Sequence, residues 1–364
     1  MKWSLIMMLS VYAATGKAAQ GGSEPPIVFI PGIKGSVLAD NGGAVKWITP
    51  LQALGLASPN LSLPLDWKDG KQGQDGLSPR EVLSGVRILP WLLEQQVYGP
   101  LLKAAGNTKR PFFAFPYDWR RDNNETLAKF ENFVEWVRQK NQGARIRVIA
   151  HSMGGLITLA LLNKRPELFD SVVFVGVPFS GTISFLLDMH AGTATGLNRA
   201  ILSPEVLFTH PSIYTLFPVE GSGLVDAAGK PIQVDFYSPE DWKKHGLGIF
   251  HDPSSVTPQQ QTYLKVALQR AKAFRQHLVP RDQRYPPITV VSGREIPTLA
   301  SVIQNGPQSI NGWDFDAQPK EPGDGRVLER QSFPPSGIPY RVVYSKAEHA
   351  DQLSDPAVLT LIQE

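Results

Sequence analysis

Short apolar runs rich in β-branched residues alternate along this chain with amphipathic stretches of helical period. Residues 26–32 read Pro-Ile-Val-Phe-Ile-Pro-Gly, a buried strand closed by Pro-Gly, and 111–117 predicts a second strand. Over 125–141, Leu127, Phe130, Val134 and Val137 share one helical face, and Gly143 follows. A strand at 145–151 leads into a helix ending near Lys164, ahead of Pro166, and 172–177 is another strand. The helix expected at 258–278 opens with Thr257, Pro258 and Gln260 in capping-box order. Residues 288–292 and 340–344 are two more short apolar strands. Strands apolar on both faces, alternating with helices, predict an α/β fold: a mostly parallel central sheet with helices on both faces. Two stretches, about 39–100 and 180–285, lack a clear period. They are expected as cap insertions over the carboxyl edge of the strands, where chemistry gathers in such sheets. No repeat or low-complexity linker intervenes, so 19–364 is expected to be a single domain.

The N-terminus obeys a different logic. Lys2 precedes an apolar stretch over 3–14, and Gly16 and Ala18 suit signal-peptidase cleavage before Ala19. The stretch is short for a membrane span, and no later run reaches about 18 apolar residues. Residues 1–18 are therefore expected to be a signal peptide, and the protein to be exported, periplasmic or secreted. The 364 residues include no cysteine, which excludes disulfides, a lipoprotein cysteine and thiolate metal sites. The formal charge of +3 includes Lys2 and Lys17; without these two it is +1. No basic run stands out, so nucleic acid is not expected as a partner. There is no HExxH, P-loop or dinucleotide fingerprint, and neither metal nor cofactor is expected.

Candidate chemistry centres on 148–156, Val-Ile-Ala-His-Ser-Met-Gly-Gly-Leu. The Ala-x-Ser-x-Gly spacing is that of a nucleophile elbow, a strained strand-to-helix turn that holds a serine proud of the sheet edge. Ser152 is the candidate nucleophile; Ala150 and Gly154 are small because side chains there would collide across the turn. Seven histidines could serve as its base. His151 is expected to point away from the serine and to pack. His349 lies just beyond the last strand, at the carboxyl end where a base must sit. The orienting carboxylate belongs after the preceding strand, and both Glu295 and Asp324 qualify, the latter flanked by Gly323 and Gly325. Candidate oxyanion donors are the N–H of Met153, directly after the nucleophile, and that of Ile33 in the Pro31–Ser36 loop. Each such donor is worth roughly 2.7–4 kcal/mol of barrier.

Four stretches together resemble the lecithin:cholesterol acyltransferase-like α/β hydrolases, which include lysosomal phospholipase A2. Pro31-Gly32-Ile33-Lys34-Gly35-Ser36 is similar to the family's Pro-Gly-x-x-Gly-Ser loop, and Tyr117-Asp118-Trp119-Arg120 to its Tyr-Asp-Trp-Arg signature. Ala150–Gly155 resembles its elbow, and Gly323-Asp324-Gly325-Arg326-Val327 its Gly-Asp-Gly-Thr-Val acid loop. The resemblance runs from about 27 to 350. It implies an α/β-hydrolase fold, with Ser152 as nucleophile, Asp324 as acid, His349 as base, and Ile33 and Met153 as oxyanion donors. It gives Tyr117, Asp118, Trp119 and Arg120 a mostly structural role near the site. Arg326 departs from the usual Thr. The chain also lacks the disulfide of vertebrate members, so lipoprotein-type activation is not carried over.

The resulting expectation is a serine acyl hydrolase or acyltransferase acting on lipid esters, such as phospholipid acyl chains, with transient membrane-surface contact. Trp47–Leu51 with Leu54, Leu56, Leu61, Leu63, Leu65 and Trp67 could form an interfacial flap, and Leu186, Leu187, Leu197, Ile201, Leu202, Leu207 and Phe208 an acyl slot. Ordinary cap core is the competing reading for both sets. The rival functions are an esterase for non-lipid esters or lactones and a non-catalytic lipid-binding protein on a hydrolase scaffold.

Overall fold

The computed structural model describes residues 24–89, 93–316 and 320–363; the expected signal peptide, 1–18, lies outside them. Six strands form the central sheet: β1 (Ile27–Ile30), β2 (Phe112–Ala114), β3 (Ile146–His151), β4 (Phe169–Val175), β5 (Ile288–Gly293) and β6 (Arg341–Ser345). Their order is β6-β5-β4-β3-β1-β2, and every pairing is parallel. Parallel pairing needs crossover connections, and the helices that supply them cover the sheet. This is the α/β-hydrolase fold.

The two periodicities meet in β1, whose four residues are all fully buried. Val28 and Ile30 pack into the larger core with α2 (Asn123–Lys140), α3 (Met153–Lys164) and α5 (Pro258–Gln276). Ile27 and Phe29 face the other way, toward Leu101 of α1 (Gly99–Gly106) and Val358 and Leu361 of α6 (Pro356–Gln363). Burying each such side chain is worth about 1.5–3 kcal/mol. Local signals set the helix starts. Asp122 accepts from the Asn124 N–H at the head of α2, and Thr257 and Gln260 cap α5 reciprocally.

Several boundaries differ from the sequence expectation. Strand β2 stops at Ala114 because the chain turns to bond elsewhere, with the Tyr117 N–H donating to Ser36 Oγ. Strand β4 begins at Phe169 and ends at Val175, where Gly176 turns with φ +55°. The aperiodic stretches are not irregular throughout. The second contains α4 (Ser184–Ala191), shorter helices and at its close α5, and the end of the first merges into α1, which packs beneath the sheet.

Strand-to-helix packing at the elbow leaves no room for a side chain. A Cβ on Gly154 would lie 2.5 Å from the Pro31 carbonyl oxygen and 2.8 Å from that of Ile30. Gly154→Ala should therefore destabilise the fold by about 1–3 kcal/mol or more, because backbone rather than a flexible side chain must yield. Urea unfolding of the two proteins measures this; an unchanged midpoint contradicts the packing described.

Candidate active site

Ser152 occupies the turn between β3 and α3 with φ +50° and ψ −125°, a conformation costing a non-glycine residue about 1–3 kcal/mol. Its N–H donates to the Val175 carbonyl (2.9 Å), which ties the turn to the end of β4. His349 follows β6, and its Nε2 lies 2.9 Å from Ser152 Oγ. On its far side, His349 Nδ1 is 2.8 Å from Asp324 Oδ2. The Asp324 carbonyl also accepts from the His349 backbone N–H (2.8 Å), so acid loop and base loop are joined twice.

Asp324 is almost fully buried, and burial alone would raise its pKa. The adjacent imidazole and the N–H groups of Val327 (2.7 Å) and Arg326 (2.9 Å) on Oδ1 overcome this, holding the carboxyl below its usual value. An ionised Asp324 accepts the Nδ1–H of His349 and leaves Nε2 free to take the serine proton.

The Pro31–Ser36 loop presses on the serine: a Cβ on Gly32 would be 2.9 Å from Ser152 Cβ. Gly35 N–H donates to the Gly32 carbonyl (3.1 Å), with Lys34 at φ +66° in the third position, so 32–35 is a type II turn. Among the described residues, neither the Ile33 N–H nor the Met153 N–H has an acceptor.

Tyr117, Asp118, Trp119 and Arg120 do not line the cavity at Ser152. Tyr117 Oη donates to the Pro31 carbonyl (2.9 Å), and Trp119 Nε1 to that of Ser36 (3.2 Å). Arg120, fully buried, grips Asp118 through Nε (2.9 Å) and Nη2 (2.8 Å), and also pairs with Asp75. Tyr117 and Trp119 thus hold the loop behind the serine, while Asp118 and Arg120 tie this segment to Leu61 and Asp75. Glu295 is elsewhere, exposed and 3.6 Å from Lys346. Arg326 still donates its N–H to Asp324, while its guanidinium pairs with Asp188 and lies over Phe185 at 4.8 Å.

Sequence reasoning missed one network. The Gly32 N–H donates to Tyr98 Oη (3.0 Å), the Tyr98 hydroxyl to His151 Nδ1 (2.8 Å), and His151 Nε2–H to the His349 carbonyl (3.0 Å). His151 does not point away; it bridges the loop under Ser152 to the backbone of His349. Burial pushes its pKa down to about 3, and the nearby His349 adds to this. It stays neutral, as its bonding requires. Tyr98 sits at the end of an aperiodic stretch, and no pattern in the sequence links it to the elbow.

The cavity measures about 390 Å³, within the range of small-molecule sites. Trp47, Ile48, Leu83 and Val97 from the first aperiodic stretch and Phe185 from the second form its apolar wall. None of the residues expected in an acyl slot lines it: Leu186, Ile201, Leu202, Leu207 and Phe208 are buried cap core, and Leu197 is exposed. Among the described residues, no cluster of side chains could hold a metal ion.

A serine on such a turn, at the edge of a parallel sheet, defines an α/β hydrolase. A chain in the crystal structure of the Tle4-Tli4 complex shares this fold, with a TM-score of 0.57 at 14% identity over 94% of this chain and 98% of that one. The family model for lecithin:cholesterol acyltransferase matches residues 90–245. An uncharacterized protein of Saccharomyces cerevisiae is 23% identical over 91% of this chain and 60% of its own length. The lysosomal phospholipase A and acyltransferase of Canis lupus familiaris is 32% identical over 84 residues, 21% of either chain. This chain is thus similar to lecithin:cholesterol acyltransferase over residues 90–245, and it spans about 60% of the yeast relative and about a fifth of the canine one.

Two expectations follow. Tyr98→Phe strands the Gly32 N–H and His151 Nδ1, costing about 1–3 kcal/mol of stability. It should also lower ester turnover about ten- to hundredfold by loosening the loops around Ser152. Urea titration and steady-state rates measure both, and an unchanged rate contradicts the bridging role. Stability should also fall as pH drops from about 6.5 toward 3. His151, His190 and His210 have folded pKa values lowered to about 3 by burial, so only the unfolded chain takes up their protons in that window. Each contributes up to about 1.4 kcal/mol per pH unit; urea midpoints at pH 7, 5.5 and 4.5 test the slope.

Proposed function

We propose that this protein is a serine-dependent acyl hydrolase or O-acyltransferase acting on lipid esters. The observation that carries the reading is the continuous contact from Ser152 Oγ through the His349 ring to Asp324, at one end of an apolar-walled cavity. Ser152 Oγ attacks the ester carbonyl as its proton passes to His349 Nε2, and the oxyanion forms against the Ile33 and Met153 N–H groups. Collapse expels the alcohol, which takes that proton, and leaves an acyl-enzyme on Ser152. Water or an acceptor alcohol then gives its proton to His349, attacks the acyl carbon, and releases the serine. No cofactor enters these steps.

A lipid substrate is supported by the rim of the cavity as well as by its wall. Leu51, Leu56 and Leu197 are 58%, 73% and 75% exposed. The Leu197 N–H donates to the Ala53 carbonyl (2.8 Å) and Asn198 Nδ2 to that of Gln52 (2.7 Å), which stitches the two aperiodic stretches together beside the cavity. Exposed leucines there suit brief contact with a lipid surface. The apolar N-terminal segment supports action outside the cytoplasm, and among the described residues no helix is long and apolar enough to cross a membrane.

A fluorophosphonate probe should label the wild-type protein and not Ser152→Ala, whose turnover should fall by about 10⁶-fold. On p-nitrophenyl esters, activity should extend to long acyl chains. A preference confined to acetate would sink the lipid reading, and absent labelling would favour the non-catalytic binding alternative. Vesicles containing phospholipid and sterol, analysed for free fatty acid and sterol ester, separate hydrolysis from transfer.

A further inference from the structure

The cavity beside Ser152 holds a charge that the acyl-transfer chemistry does not use. Lys34 is half-buried and lines the same cavity as Ser152, His349 and Arg326. Among the described residues, no carboxylate lies within 4.0 Å of its ammonium; Asp188, the acid that acts on it, is already paired with Arg326. Glu348, exposed in the His349 loop, also lines the cavity, and Asp324 is held by His349. Burial pushes the Lys34 pKa down to about 8, and Arg326 lowers it further against the pull of Asp188. A cation facing apolar walls without a counter-ion is costly unless a ligand supplies one.

Backbone geometry points the same way. Lys34 holds the third position of the type II turn at φ +66°, where glycine would be at ease. Any side chain there carries a backbone strain that glycine would avoid, and this loop carries a lysine. Arg326 reaches the same cavity from the acid loop, its guanidinium lying over Phe185. Two loops that flank the serine therefore each direct a cation into one apolar pocket, and only one of the two is neutralised by the protein.

We infer that Lys34, flanked by Arg326, is a specificity-determining residue that binds an anionic group, phosphate or carboxylate in chemistry, carried by the substrate close to the scissile ester. The inference rests on the acyl-ester reading above and adds which esters the site selects. Charge-assisted hydrogen bonds from an ammonium to such an anion are short, and they strengthen where water is excluded.

The test uses three lipids with identical acyl chains: phosphatidic acid, a diacylglycerol hemisuccinate and the uncharged diacylglycerol, presented in the same neutral detergent micelles. The wild-type protein should show a higher kcat/KM for the charged lipids than for diacylglycerol, and whichever of the two leads identifies phosphate or carboxylate as the recognised anion. In Lys34→Asn, a neutral residue that tolerates positive φ, the charged-to-uncharged ratio should fall about tenfold or more. Lys34→Arg should restore it. All substrates pass through the same serine, so general damage to fold or catalysis lowers every rate and leaves the ratio unmoved. Turnover of all three lipids at a ratio that Lys34→Asn does not change overturns the inference and leaves the lipid-ester reading standing. Fluorophosphonate labelling without turnover of any lipid overturns both.

Discussion

The backbone turn at Ser152 is the constraint on which the rest of the site depends. A residue held at φ +50° stays there only if its surroundings permit nothing else. The Ser152 N–H is anchored on Val175, Gly154 lies under the carbonyls of Ile30 and Pro31, and Gly32 closes against the serine itself. These contacts come from the ends of the two strands that flank β3, namely β4 and β1. The conformation of one residue thus fixes how the ends of β1, β3 and β4 meet, and that meeting creates the cavity.

Polar groups around the turn are tied together rather than merely near it. Tyr117 and Trp119 hold the loop after β1 by its carbonyls, while Arg120 pairs with buried Asp118 and with the partly buried Asp75. Breaking such a pair from one side costs far more than the pair itself contributes. The Tyr98–His151 bridge runs on the other side, from the same loop to the His349 backbone. Its hydrogens can be ordered in only one direction, because the Gly32 N–H only donates and the His349 carbonyl only accepts. Arg326 links the acid loop to α4 through Asp188, and its carbonyl accepts from Thr182 Oγ1 (2.9 Å) and Ser184 Oγ (2.8 Å).

What was legible in the sequence was whatever repeats locally. The inner strands β1, β3, β4 and β5 read clearly because parallel strands buried on both faces are largely apolar. The partly exposed edge strands β2 and β6 showed only as short apolar runs, and α2 and α5 announced themselves by period and caps. The serine turn was readable because small residues at fixed spacing are a steric necessity. Asp324 was separable from Glu295 only through the family resemblance, since two acids after one strand look alike until the chain is folded. Tyr98 and His151 gave no signal, because they are joined across 53 positions by a single hydrogen bond. The leucines after Leu186 were ambiguous for a related reason: apolar residues that fill a cap and those that line a cavity are the same residue types.

The sheet edge at β6 has one further consequence. That strand pairs with β5 alone and comes last of the six, yet the loops around it present both Asp324 and His349. During synthesis the serine turn can emerge and fold with β1, β3 and β4 long before its partners exist. A nascent or prematurely ended polypeptide therefore presents the Ser152 hydroxyl without the His349 ring beside it. The contact from Ser152 through His349 to Asp324 is completed only when β6 takes its place beside β5.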